Sequence, residues 1–161
     1  MPTRFRDDET QPGVVVYPIL VQCPRCQRRA EIVVVDPPAQ DDGETPQHGW
    51  RTRLVCPACG HTADGFKKYA ALGAPGTDFF SGLPLWLQVP CAGHLLWAWN
   101  ESHLDFIERY VAADLRERTP NINKSLASRL PAWIKSGKNR DEVLKGIRRL
   151  RKRLAETNAS R

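Results

Sequence analysis

No run of this chain is apolar for long enough to cross a bilayer, and its first residues, MPTRFRDDETQPG, hold no apolar signal segment. A hydrocarbon core needs about 20 consecutive apolar residues to span it. The expected location is therefore cytoplasmic, in a reducing compartment where disulfides are disfavoured. The signatures of common enzyme classes are missing as well. No histidine is followed two positions later by glutamate, the step that zinc deaminases require. There is no H-E-x-x-H step, no Walker A loop and no G-x-G-x-x-G loop. His48, His61, His94 and His103 are scattered, without the DH or HH dyad of HNH-type nucleases. No enzyme and no small-molecule substrate is expected.

What the chain does have is two Cys-Pro-x-Cys steps, Cys23/Cys26 and Cys56/Cys59, which use four of its five cysteines. Each step sets two thiolates one turn apart, so both sulfurs can point at one ion. Two such turns meeting across a hairpin supply four soft ligands for a closed tetrahedral site, which favours one structural Zn²⁺. A catalytic zinc would keep a coordination position open. Both pairs follow β-rich runs, VVVYPILVQ and RTRLV, whereas a thioredoxin-like redox pair opens a helix. Gly60 directly follows the last cysteine, where a knuckle needs positive φ. His61 is expected to support the sulfurs from outside a shell that four thiolates already fill.

With these motifs, CPRC and CPACGH, residues 14–64 resemble a zinc ribbon of the transcription factor IIB or rubredoxin-like kind. The whole chain resembles small bacterial proteins known for such a ribbon. The resemblance implies a metal-ligand role for Cys23, Cys26, Cys56 and Cys59 and says nothing of the helical half. Cys91, His94 and His103 have knuckle-like spacing of their own, but a fourth ligand is missing, and a lone buried cysteine is usually a small hydrophobe.

Charge is segregated along the 161 residues. Residues 1–64 carry 7 Lys/Arg against 9 Asp/Glu, and residues 65–118 carry 5 against 6. Residues 119–161 carry 12 against 3, a net of +9. A one-sided basic field is the footprint of a polyanion binder, because each phosphate contact releases condensed counterion.

The expected architecture is α+β, with a zinc-ribbon module over 13–64, a connector over 65–83, and a hairpin plus helical basic unit over 84–157. Strands are expected at Val14–Tyr17, Ala30–Val35 and Arg51–Val55, with a short return after CPACGHTADG. The acidic segment DPPAQDDGETPQHG reads as a loop. The connector allows one short helix. PLWLQVPCAGHLLWAWN reads as a Trp-rich hairpin, with Leu85, Leu87 and Val89 on one face and Leu95, Trp97 and Trp99 on another. Trp86, Trp97 and Trp99 are expected to be core rather than a base-stacking platform.

About three helices should follow. The first is capped by Asn100, carries Leu104, Ile107, Val111 and Leu115 on one stripe, and ends near Arg118. A second runs from about Ile122 to Ser136, interrupted at Pro131. The last opens with an Asn139/Glu142 capping box and buries Val143, Leu144, Ile147, Leu150 and Leu154. Its other side then carries Lys145, Arg148, Arg149, Lys152 and Arg153 as candidate phosphate contacts. Without a base-reading motif, binding of DNA or RNA with little sequence specificity is the leading expectation. The alternative is a protein-interaction adaptor that docks a larger complex through the ribbon. A membrane partner is not expected, because the helix lacks the Phe and Trp wedges of interfacial helices.

Overall fold

The computed structural model describes residues 2–7, 17–35, 50–67, 74–116 and 125–159. Mixed α and β structure was expected and is observed, with antiparallel sheets and one long C-terminal helix. The expected strand residues 14–16, the acidic loop 36–49, part of the connector and residues 117–124 lie outside the described residues.

A two-residue strand β1 (Arg4–Phe5) precedes four antiparallel strands, β2 (Ile19–Gln22), β3 (Arg29–Val34), β4 (Trp50–Val55) and β5 (Thr62–Lys67), in spatial order β2-β3-β4-β5. Ile19 pairs with Ile32 and Ile32 with Leu54, so one face of the sheet collects the branched residues. β2 is buried on both faces: Ile19, Leu20 and Val21 are all buried. Its outer edge is covered as well. The Leu20 N–H donates to the Trp99 carbonyl at 2.8 Å, the Trp86 N–H to Leu20 at 2.9 Å, and the Gln22 N–H to Pro84 at 2.9 Å. A covered edge offers no template for pairing with another chain.

The described part of the connector, residues 74–83, holds a turn and no helix. The buried Asp78 carboxylate organises it, accepting from the N–H groups of Phe80, Ser81 and Leu83 at 2.6–2.9 Å. The hairpin of β6 (Leu87–Cys91) and β7 (His94–Ala98) closes through Ala92 and Gly93, both at positive φ (49° and 77°). That is the geometry of a two-residue turn whose twist matches the strands. Its inner face differs from expectation. Leu96 and Ala98 are fully buried, while Trp97 and Trp99 on the opposite face, and Val89, are half-buried. The reason is the close approach of the last helix: a Cβ on its Gly146 would lie 2.8 Å from Leu96 Cδ2.

Helix α1 (Glu101–Ala112) is capped as expected, the Asn100 side chain accepting from the His103 N–H at 2.9 Å. It ends at Ala112, earlier than the expected Arg118. Leu115 is 47% exposed in β8 (Leu115–Arg116), which pairs in parallel with β1. Competing bonds divert the chain: the Thr3 N–H donates to the Asp114 carboxylate, and the N–H groups of Asp114 and Leu115 donate to the Thr3 carbonyl. Arg116 then satisfies the orphan carbonyls of α1, donating to Tyr110 and Val111, and also to Lys135.

The expected second helix is two single turns, α2 (Leu126–Arg129) and α3 (Ala132–Lys135), with Pro131 at the N-cap of α3. Proline has no N–H to lose at such a start. Residues Gly137–Asn139 form a 3₁₀ turn that runs directly into α4 (Arg140–Ala159). The Asn139 amide therefore donates to the Trp133 carbonyl instead of forming the expected capping box. Val143, Ile147, Leu150 and Leu154 of α4 are buried, and Leu144 packs at the margin of the same core.

Two apolar clusters result. One unites the hairpin with the helices and the other lies under the sheet, and Trp99 packs against both. Beside it His103 is 3% exposed, stacked on the Trp99 ring at 4.3 Å, with Nδ1 accepting from the Trp99 N–H at 3.2 Å. Burial pushes its pKa down from 6.5 to about 3. Between these values only the unfolded chain binds the proton, so this contribution is complete above pH 6.5 and is lost as pH falls toward 3. Acidification from pH 7 to pH 5 should cost roughly 2 kcal/mol at this group. Urea midpoints at both pH values should fall further for the wild type than for His103→Gln. Equal falls would contradict it.

Candidate functional site

β2 and β4 run in the same direction, with β3 antiparallel between them. The turns that follow β2 and β4 consequently sit at one end of the sheet, and those turns carry the two Cys-Pro-x-Cys steps. They share one backbone pattern. The Cys23 N–H donates to Arg28 and the Gln27 N–H to Cys23; the Cys56 N–H donates to His61 and the Gly60 N–H to Cys56, all at 2.8–2.9 Å. Each turn needs a left-handed residue four positions after its first cysteine. Gly60 takes φ 74° without strain, and Gln27 takes φ 62° at the matching place, which costs an L-residue about 1 kcal/mol.

All four sulfurs lie within 4.8 Å of one another. Cys23 Sγ is 3.7 Å from Cys59 Sγ, and Cys26 Sγ is 3.6 Å from Cys56 Sγ. A tetrahedron with metal–sulfur bonds of about 2.3 Å has edges of about 3.8 Å. The cluster therefore fits a metal ion with four thiolate ligands. Cys23 and Cys56 are buried, Cys26 is half-buried and Cys59 exposed.

Proton affinity divides within the cluster. Burial pushes Cys23 up, but the N–H groups of Cys26 and Arg25 and the neighbouring thiols outweigh it and bring the pKa to about 7. At Cys26 the Arg28 N–H acts downward, while burial and the three other sulfurs prevail and carry it to about 11. Four thiolates this close oppose one another's ionisation, and a cation at their centre removes that conflict. His61 contributes its backbone carbonyl to the second turn.

The second cysteine–histidine group is not assembled. Cys91 Sγ donates to the Glu142 carbonyl at 3.4 Å, His94 stacks on Trp133, and His103 is enclosed by Trp97 and Trp99. Among the described residues the four-cysteine group is the one place where three or more such side chains converge.

The candidate phosphate contacts lie along α4. Lys145, Arg148, Arg149 and Lys152 are exposed. Lys145 pairs with Glu142 at 3.2 Å, and Arg149 donates to the Pro90 carbonyl at 2.9 Å. Arg153 is half-buried, its guanidinium 4.0 Å above the Trp86 ring. Arg151 behaves differently from its neighbours: it turns toward α1, where it meets Glu101, Asp105 and Glu108. The spacing of those acids on one stripe of α1 is the sequence signal for that pairing. Two further cations, Arg28 at the end of the first cysteine turn and Arg29 at the start of β3, line one space with Arg149, Lys152 and Arg153 of α4, and nothing in their sequence context marks them.

Among the described residues no helix is long and apolar enough to cross a membrane. No family model, curated protein or solved structure matches this chain.

Proposed function

We propose that the chain is a non-enzymatic nucleic-acid-binding accessory protein whose four-stranded sheet is a zinc β-ribbon. Zinc suits four thiolates at tetrahedral spacing, and its role is structural because the shell is closed. The observation that carries the binding role is the two-sidedness of α4. Val143, Ile147, Leu150 and Leu154 are buried, and the surface left to solvent bears Lys145, Arg148, Arg149 and Lys152. Phosphate contacts from such a face depend on charge and not on base identity, so little sequence preference is expected.

The test is a triple charge reversal, Arg148→Glu, Arg149→Glu and Lys152→Glu, with Arg153 left in place because it covers Trp86. Binding to fluorescent DNA and RNA should fall by at least about 100-fold at 50 mM salt, with metal content still at one zinc per chain. Wild-type affinity in this variant would overturn the reading. Capture of a stoichiometric protein partner that survives nuclease treatment would replace it with the adaptor alternative.

A further inference from the structure

The basic face of α4 is one wall of a larger feature. Between the cysteine turns and α4 runs a groove of ≈ 880 Å³, inside the range of about 300–1,000 Å³ in which clefts hold ligands. Arg28 at the end of the first turn and Arg29 at the start of β3 line it on one side, Arg149, Lys152 and Arg153 of the helix on the other, and Trp86 is among its lining residues. Glu156 is the one carboxylate among its lining residues. Cations on facing low-dielectric walls focus a positive potential into the space between them.

Building on the nucleic-acid reading above, we propose that this groove holds a single-stranded segment of nucleic acid, its phosphates gripped from both walls. A duplex meets the protein as a broad convex cylinder and would touch only the outer face of α4, leaving Arg28 and Arg29 unused. An extended single strand can pass between the walls and reach both. The floor suits a single strand too. The Arg153 guanidinium carbon lies 4.0 Å from the Trp86 ring centroid, a cation–π contact, and Trp and Arg planes are surfaces on which unpaired bases rest. The Trp86 indole N–H is buried with no acceptor among the described residues.

The proposal moves half of the binding site onto the metal-bearing turn, which separates it from a ridge confined to α4. The test compares two double variants of the full-length, metal-loaded chain. One is Arg28→Gln with Arg29→Gln, inside the groove. The other is Arg109→Gln with Lys138→Gln, two exposed cations outside the groove and outside the phosphate face of α4. Fluorescence anisotropy is read with a single-stranded oligonucleotide and with the matching duplex across a salt series.

The wild type should prefer the single strand by about 10-fold or more. The groove variant should lose about 10-fold in single-strand affinity, and its log–log salt slope should shrink by about 1.4, the value of two single-strand phosphate contacts. The outer variant should change by less than about threefold. Unchanged metal content and far-ultraviolet circular dichroism in both variants exclude a folding defect. If the outer variant loses the binding and the groove variant keeps it, or if duplex is preferred, the groove assignment is overturned while the nucleic-acid reading stands. If the wild type binds neither form at low salt, both fall.

Discussion

Replacing Cys56 by serine is expected to strip the proposed zinc and to melt the four-stranded sheet while α1 and α4 stay folded. The reason is how little apolar surface the sheet owns. Among the described residues its cluster has nine buried members, and two of them are the cysteines Cys23 and Cys56 themselves. Residues Thr62 to Gly65 of β5 are exposed, so that strand is held by its ladder with β4 and by the second cysteine turn. A small sheet with one poorly filled face is marginal in water. Structural zinc supplies apparent folding energies of about 10–16 kcal/mol in small domains, so losing a third of that is about 3–5 kcal/mol. In hydrogen exchange this corresponds to about 1,000-fold faster exchange for β3, β4 and β5 amides. Serine keeps the volume of the side chain, so a cavity does not account for the effect. A chelator acting on the wild type should reproduce it. Strand amides that remain equally protected in a chain shown to be metal-free would refute the structural role.

The parts of this architecture that were legible in the sequence are those with short-range causes. Cys-Pro-x-Cys turns, the Ala92-Gly93 reversal, the Asn100 cap and the apolar stripe of α4 each declare themselves within a few residues. The illegible parts depend on neighbours far along the chain. The pairing of Arg4–Phe5 with Leu115–Arg116 joins residues about a hundred positions apart over two residues, and no local preference marks it. That contact is what truncated α1 and left Leu115 in the open. The hairpin posed a different problem, because both faces of His94–Trp99 are apolar and alternation alone does not choose between Leu96 and Trp97. The choice came from α4, whose Gly146 lets the helix settle on Leu96. Arg28, Arg29 and Arg151 carry identical chemistry to their neighbours in sequence. Only the packing of the first turn and of α1 against α4 assigns them to a groove or to an ion-pair cluster.

Trp99→Ala should cost roughly 3 kcal/mol and split thermal unfolding into two steps. The Trp99 ring is the aromatic link between the cluster under the sheet and the cluster among the helices. It stacks on His103, lies 5.5 Å from Trp97, and meets Phe79 edge-on at 6.3 Å. Its backbone bonds, the N–H to His103 Nδ1 and the carbonyl from the Leu20 N–H, do not require the indole. The substitution therefore removes packing while leaving the β2–hairpin hydrogen bonds in place. For a chain of this size the loss corresponds to about 6–12 °C in Tm, and the sheet should melt first because its own cluster is the smaller. Trp99→Phe keeps a ring at the junction and should recover most of the loss. The same variant probes the proposed groove without touching a charge. Its two walls belong to the two clusters that Trp99 joins, so a loosened junction lets Arg28 and Arg29 drift from Arg149 and Lys152. Single-strand affinity should then fall while the salt slope, which counts the phosphates contacted, changes less than in the Arg28/Arg29 variant. One sharp transition at the wild-type Tm would show that the clusters are joined by the backbone ladder alone.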